Sequence, residues 1–122
     1  MKLFLDDNRL PAEVNGDIYD EAGWRVVGNY QEFISYVMEE GVPEVVSFDH
    51  DLADEHYDID WYEVYVEGLM PATSQPTGLE CLKWLVKFCQ DTNTPMPKKM
   101  LCHSMNPIGK QMIEEHIAKW NS

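Results

Sequence analysis

The sequence predicts an α/β fold: a doubly wound parallel sheet of about four main strands, with helices on both faces. Three observations carry that expectation. Four short runs, Lys2–Leu5, Trp24–Val27, Val45–Phe48 and Met100–Cys102, read as buried strands and alternate with helical or loop segments. Three of these runs stop at a polar cluster: Asp6-Asp7-Asn8-Arg9, Asp49-His50-Asp51 and His103-Ser104-Met105-Asn106. In open parallel sheets ligands bind at the carboxyl edge, where all three clusters would meet. The chain of 122 residues reads as a single domain, 1–122, large enough to bury a core without staples.

Taken in order, Lys2–Leu5 is the first strand. Residues 8–23 hold Pro11, Gly16 and Gly23 without clear periodicity, so they read as mostly loop with one turn of helix at most. Trp24–Val27 is the second strand. A helix over about 30–40 follows, capped by Asn29 with Glu32 three residues on. Phe33, Ile34, Val37 and Met38 form its inner face, and Gly41 stops it. Val45–Phe48 is apolar and β-branched, which suits a central strand covered on both sides.

Residues 52–76 are an acidic, aromatic insertion after strand three. The alternation at 61–66 suggests an extra strand or hairpin arm, and a connection this long is expected to be functional or mobile. Thr77-Gly78-Leu79-Glu80 has the capping-box pattern, and the helix after it buries Cys81, Leu82, Leu85, Val86 and Cys89. Pro95 and Pro97 precede the last strand. Asn106-Pro107 then reads as an N-cap with proline at the first helical position, and the final helix packs Ile108, Met112, Ile113, Ile117 and Trp120. A fifth strand is absent or degenerate. Right-handed crossovers place strand one centrally, strand two on one side, and strands three and four on the other.

Charge narrows the partners. The net charge is −13, and it is uneven: residues 1–80 carry 3 basic and 19 acidic side chains, residues 81–122 carry 6 and 3. Duplex DNA binding by charge neutralisation is excluded on this balance. A phosphate-containing small molecule or an RNA end needs a bound cation, or the basic C-terminal third, to receive it. The three cysteines are odd in number, form no CxxC pair and lie at apolar positions, so buried free thiols in a reducing cytoplasm are expected. No apolar run approaches the ~20 residues of a membrane span, and the N-terminus does not read as a signal peptide.

The chemistry gathers at the sheet edge. Asp6 and Asp7 alone would pass for solvated acids, but Asp49 ends the neighbouring strand. Hard oxygen ligands from adjacent strand ends suit Mg²⁺ or Mn²⁺ together with water and substrate phosphate, and Asp51 is the fourth candidate ligand. Crowded carboxylates also repel unless a cation sits among them. His50 and His103, at matching strand ends, are candidates for general base and general acid, with Asp49 beside them. His56 and His116 lack that placement and read as structural. Ser104, Asn106 and the start of the last helix form an anion-binding element. Arg9 either clamps phosphate through its guanidinium or pairs with a nearby Asp.

These motifs resemble a known family. Asp6-Asp7-Asn8-Arg9-Leu10-Pro11, Asp49-His50-Asp51-Leu52 and His103-Ser104-Met105-Asn106-Pro107-Ile108-Gly109 are similar to the signature of cyclic-phosphate-processing receiver-like domains. These are small bacterial and phage relatives of response-regulator receivers. The resemblance implies a receiver-like, flavodoxin-like fold and processing of cyclic phosphates in RNA repair or nucleotide signalling. By the same comparison Asp6 and Asp7 correspond to the acidic metal-binding pair, and Asp49 stands where a receiver's phosphoacceptor would be. Gly78-Leu79-Glu80 is similar to the start of the following receiver helix. The usual receiver lysine on a fifth strand is missing, and Ala53 stands where relatives often have Gly.

The resulting expectation is a cytoplasmic, metal-dependent phosphoesterase acting on 2′,3′-cyclic phosphate RNA ends or cyclic nucleotides. Asp6, Asp7, Asp49 and Asp51 would hold the metal, His50 and His103 would exchange protons, and Arg9, Ser104 and Asn106 would orient the phosphate. The alternatives are a non-enzymatic metal- and phosphate-binding sensor, or a phage protein that sequesters a nucleotide or engages a protein partner through 54–67. That acidic segment is a lid, a partner surface or mere solvation.

Overall fold

Four parallel strands, β1 (Lys2–Leu5), β2 (Trp24–Val27), β3 (Val45–Phe48) and β4 (Lys99–Cys102), form one sheet in the order β2-β1-β3-β4. The structure is a computed structural model that describes residues 1–70 and 75–121. Strand one is central and strand two lies to one side of it, as the crossover rule requires. Among the described residues there is no fifth strand. The β1–β2 connection carries two 3-10 turns, Pro11–Glu13 and Asp17–Asp20, instead of a helix.

The longer helices are α1 (Tyr30–Glu40), α3 (Gly78–Thr92) and α4 (Pro107–Asn121), with a short α2 (Trp61–Tyr65) between them. Asn29 caps α1 as its sequence predicts, its side chain accepting the Glu32 N–H at 2.9 Å. The buried face of α1 is Phe33, Tyr36 and Val37, whereas Met38 is exposed. A stripe at i, i+3, i+4 leaves position 38 turned away. α3 buries the five residues expected of it. Its capping box does not close: Thr77 makes no side-chain cap bond. The Thr77 Oγ1 is buried without a well-formed hydrogen bond among the described residues, facing the Tyr65 hydroxyl only loosely. Trp120 of α4 lies against His116 and Lys119 and is largely exposed, not packed inside.

Leu3, Leu5, Val46, Phe48 and Met100 of the sheet join Phe33, Leu82, Leu85, Ile113 and Ile117 in one core cluster under α1, α3 and α4. The opposite side of the sheet, where the doubly wound reading also expects a helix, is covered instead by rings from the β1–β2 segment, whose connection forms only 3-10 turns: Tyr19 stacks on Trp24 at 5.6 Å, and both meet Phe4 edge-on. Cys81, Cys89 and Cys102 are free thiols. Burial raises all three above their ordinary value, Cys102 to about 12, so they stay protonated.

The insertion differs from its sequence expectation. Residues 61–65 form helix α2, not a strand, because Asp60 caps them: its carboxylate accepts the N–H groups of Tyr62 at 3.1 Å and Glu63 at 3.3 Å. A 3-10 turn, Asp54–Asp58, precedes it. The expectation for 71–74 lies outside the described residues. Among the described residues no helix is long and apolar enough to cross a membrane.

Candidate functional site

Parallel register brings the floor of the site together. Leu5, Phe48 and Cys102 share a rung, so Asp6, Asp49 and His103 occupy the next one. The ladder continues through them: Asp6 N–H donates to the Val27 carbonyl, Asp49 N–H to Leu5 and His103 N–H to Phe48, each at 3.0 Å. Strand alternation turns all three side chains to the Phe4 and Ser47 face. Asp6, Asp49 and His103 each bring one donor atom to within 4.8 Å of the others, and all three are buried. Alternation sends Asp7 the other way: it is exposed and outside that cluster. Desolvation and its neighbour Asp6 raise the Asp7 carboxyl above its ordinary value.

Asp6 is fully engaged. Its Oδ1 accepts the N–H groups of Asn8 and Arg9, both at 2.9 Å, closing the turn after β1. Its Oδ2 accepts Arg9 Nε at 3.2 Å and His103 Nε2 at 3.0 Å. Burial alone would raise this carboxyl, but the imidazole and the two backbone donors outweigh it and hold it below its ordinary value. Arg9 also gives Nη2 to the His103 carbonyl at 2.9 Å and stands 4.0 Å from Asp49. The guanidinium thus pairs with an Asp, as one of its two sequence readings has it. Its five N–H donors are not exhausted by these two bonds.

His103 sits in a directed chain. Because Asp6 accepts from Nε2, the neutral ring carries its proton there, and Nδ1 accepts from the Ser47 hydroxyl at 2.6 Å. Ser47 in turn accepts from Tyr19 at 2.8 Å when its own proton is given to His103. The ring stacks on Phe4 at 4.1 Å; Ser47, small and on the strand between them, leaves it room to reach across. Burial pulls the His103 imidazole below its ordinary value despite Asp6, so it is neutral at neutral pH. Sequence reading missed both Ser47 and Tyr19. A polar residue within a buried apolar strand was the available signal for Ser47; the aperiodic loop offered none for Tyr19.

His50 is placed differently from its sequence expectation. It is wholly buried, with Nδ1 2.7 Å from Asp51 Oδ1 and Nε2 2.7 Å from the Tyr65 hydroxyl. A carboxylate only accepts, so Nδ1 carries the proton and Nε2 accepts from Tyr65. Burial pushes Tyr65 up to about 12, which keeps it a donor. The ring packs edge-on against Trp61 at 4.5 Å, and a side chain at Gly109 would collide with it. His50 therefore holds Asp51 and does not face the cavity. His56 is also wholly buried: Nδ1 accepts the Leu52 N–H and Nε2 donates to the Gln75 carbonyl, both at 2.8 Å.

A cavity of about 550 Å³ opens over this floor. Asp6, Arg9, Asp49 and Asp51 form its base, Ser104 to Ile108 one wall, and Tyr57 to Tyr62 the other. Asn106 is spent at both ends: Oδ1 caps the Gly109 N–H at 3.0 Å, and Nδ2 reaches Asp51 Oδ1 at 3.3 Å. Ser104 Oγ accepts the Asn106 N–H at 3.1 Å, which leaves its O–H as a donor. Asp49 is the least engaged acid of the base, accepting the His50 N–H at 2.8 Å. Burial first, then Asp6, push its carboxyl up to about 7.

The donor set fits a hard divalent cation. Two carboxylates converge, Asp49 with lone pairs to spare, while the His103 ring, both of its nitrogens already bonded, orients Asp6 and does not ligate. Asp6 has no spare lone pair while Arg9 Nε stays bound, and that side chain is the one donor of its four that can swing aside. Asp51 lies outside the three-residue cluster, tied to His50 and Asn106.

The chain matches the family described as the cyclic-phosphate processing receiver domain over residues 1–119. It belongs to that family. No curated protein and no solved structure matches it. Over its described residues this receiver domain carries the Asp-rich strand ends and the His103 row on a four-stranded sheet.

Proposed function

We propose that this receiver domain hydrolyses cyclic phosphodiesters, with 2′,3′-cyclic phosphates of nucleotides or RNA ends as substrate class and Mg²⁺ or Mn²⁺ as cofactor. The observation that carries the reading is Asp49: a buried cavity carboxylate that accepts little from the protein, converging with the Asp6–His103 pair. Burial and Asp6 oppose its ionisation, so a bound cation both relieves that crowding and offsets the negative charge that an anionic phosphate would meet. In the reaction water adds to phosphorus, one ribose P–O bond breaks, and the freed ribose oxygen takes a proton. The product is a phosphomonoester.

Asp6 and Asp49 would hold the cation, which when bound supplies Lewis-acid polarisation of a phosphoryl oxygen. Arg9, released from Asp6, offers its fork to the phosphate. The Ser104 hydroxyl and the first turn of α4 face the same space, and Asn106 fixes that turn's geometry. His103, its tautomer fixed by Ser47, holds Asp6 in place, while His50 positions Asp51. The acidic base also favours turnover: a cyclic diester brings one negative charge and its product two, so repulsion speeds product release.

One observation favours a second reading, a sensor or nucleotide-sequestering protein. Both ring nitrogens of His50 and of His103 are already hydrogen-bonded inside the protein. Turnover of 2′,3′-cyclic AMP with Mn²⁺, Mg²⁺ or chelator decides between them. Metal-dependent ring opening that is lost in Asp49→Asn supports the hydrolase; metal-dependent binding without product supports the sensor.

A further inference from the structure

The wall opposite Ser104 carries two aromatic rings that nothing in the fold explains. Tyr57 is 57% exposed and Tyr62 49%, yet both line the cavity. Among the described residues neither ring stacks on another. Their neighbours, by contrast, are fixed. Trp61 is buried, donates Nε1–H to the His56 carbonyl at 2.9 Å and stacks on Tyr65 at 5.5 Å. Asp60 caps α2, and His56 ties the preceding turn to Leu52 and Gln75. A rigid backbone thus presents two unpartnered π faces beside the acidic base, with the exposed Met105 across the gap. Tyr57 also leans over that base: desolvation, then Asp7, Asp49, Asp51 and Asp6, raise its hydroxyl to about 12.

Charge says what these rings are for. Asp6, Asp49 and Asp51 outnumber Arg9 at the base, so a bare phosphate gains little there even with one divalent cation present. Ligand affinity must come from a neutral contact. Base–aromatic stacking supplies one, worth ~1–3 kcal/mol per base and insensitive to the charge below. The cavity volume lies within the ~300–1,000 Å³ of small-molecule sites.

The geometry points to Tyr57 and Tyr62 as a nucleobase-stacking wall that makes this domain specific for base-bearing cyclic phosphates over base-free ones. This rests on the cyclic-phosphate reading for its phosphate half. The shared chemistry is a nucleoside 2′,3′-cyclic phosphate, which a free nucleotide or an RNA 3′ end can present. A stacking wall open at its rim reads the terminal base of either.

The test compares four probes on wild type and on Tyr57→Ala/Tyr62→Ala: 2′,3′-cyclic AMP, a short oligoribonucleotide ending in 2′,3′-cyclic phosphate, methyl riboside 2′,3′-cyclic phosphate without a base, and adenosine. Both side chains are exposed, so the variant should fold. For wild type the KM of the base-free probe should exceed that of cyclic AMP about tenfold or more, and in the variant the ratio should collapse towards one. Adenosine binding, followed by NMR titration, should weaken about tenfold in parallel. Equal KM values in wild type, or an unchanged ratio in the variant, overturn the proposal while leaving the hydrolase intact. Adenosine binding that depends on the two tyrosines, without turnover of any probe, upholds the wall and removes the hydrolase. A lower KM for the oligoribonucleotide than for cyclic AMP assigns the wall to RNA ends; the reverse assigns it to free nucleotides.

Discussion

His103 Nε2 lies 3.0 Å from Asp6 Oδ2 across 97 residues of sequence, and the two groups are complementary in charge state: burial keeps the imidazole neutral while its N–H helps keep the carboxyl ionised. β3 runs between their strands. The pair meets only because both side chains lean over the small Ser47, which supplies the hydroxyl that fixes the ring's tautomer.

Ser47→Ala should therefore disturb His103 without emptying the site. The Nδ1 atom loses its donor, a loss that typically costs ~1–3 kcal/mol for a buried group. Urea unfolding should show a loss in that range. Imidazole ¹⁵N shifts should show His103 leaving its single tautomer, with turnover falling at least tenfold. An unchanged ¹⁵N pattern would mean that Ser47 does not orient the ring.

If the proposed cation binds at Asp49, its effect depends on pH. Its ordinary value is 3.8, but in the folded domain it holds its proton to about 7. Stability from this group is therefore fully present below its unfolded value and is lost as pH rises through about 7, by on the order of a few kcal/mol. Asp6 runs the opposite way, its contribution being lost as pH falls. Mg²⁺ or Mn²⁺ should raise Tm more at pH 8 than at pH 5, and Asp49→Asn should flatten that difference. A cation effect that is the same at both pH values would contradict the assignment.

Two glycines are fixed by close approach. A side chain at Gly78 would enter the Asp49 carbonyl, and one at Gly109 would enter the His50 ring. Gly109→Ala should cost ~1–3 kcal/mol by overpacking and loosen the hold on Asp51. Gly78→Ala opposes backbone and should cost more. Equilibrium denaturation of both variants gives the ordering; a neutral Gly78→Ala would show that α3 can shift freely from β3.

His56 staples the aromatic wall. His56→Leu removes partners from the Leu52 N–H and the Gln75 carbonyl, each worth ~1–3 kcal/mol if left buried. Limited proteolysis should then cut within 54–67 before the rest of the domain unfolds. Protection equal to wild type would show that Asp60 and Trp61 suffice to hold the segment.

Much of this was legible in the sequence. All four strands, their order and the three long helices followed from short apolar runs and cap residues such as Asn29 and Asn106. That the clusters beginning at Asp6, Asp49 and His103 meet at one sheet edge followed from reading parallel strands as ending level. What escaped reading depends on side-chain direction. Asp6 and Asp7 look alike in sequence, but alternation points one to the cavity and one to solvent. His50 and His103 look equivalent at strand ends, yet one is enclosed by Trp61, Tyr65 and Gly109, which lie far along the chain. In 61–65, aromatic alternation suggested a strand, and the Asp60 cap overrode it.

The continued ladder through Asp6, Asp49 and His103 has a consequence for how this domain can change. Their amides are locked by the same inter-strand bonds that hold the sheet, so exposing them requires unfolding the most protected unit of the molecule. The Tyr57–Tyr62 segment belongs to no ladder and is held instead by side-chain bonds of His56, Asp60 and Trp61. Substitutions at Tyr57 and Tyr62 therefore leave those anchoring bonds in place, while the Asp6, Asp49 and His103 row is part of the sheet itself. The rings of this wall are free to drift under mutation; the row on the sheet is not.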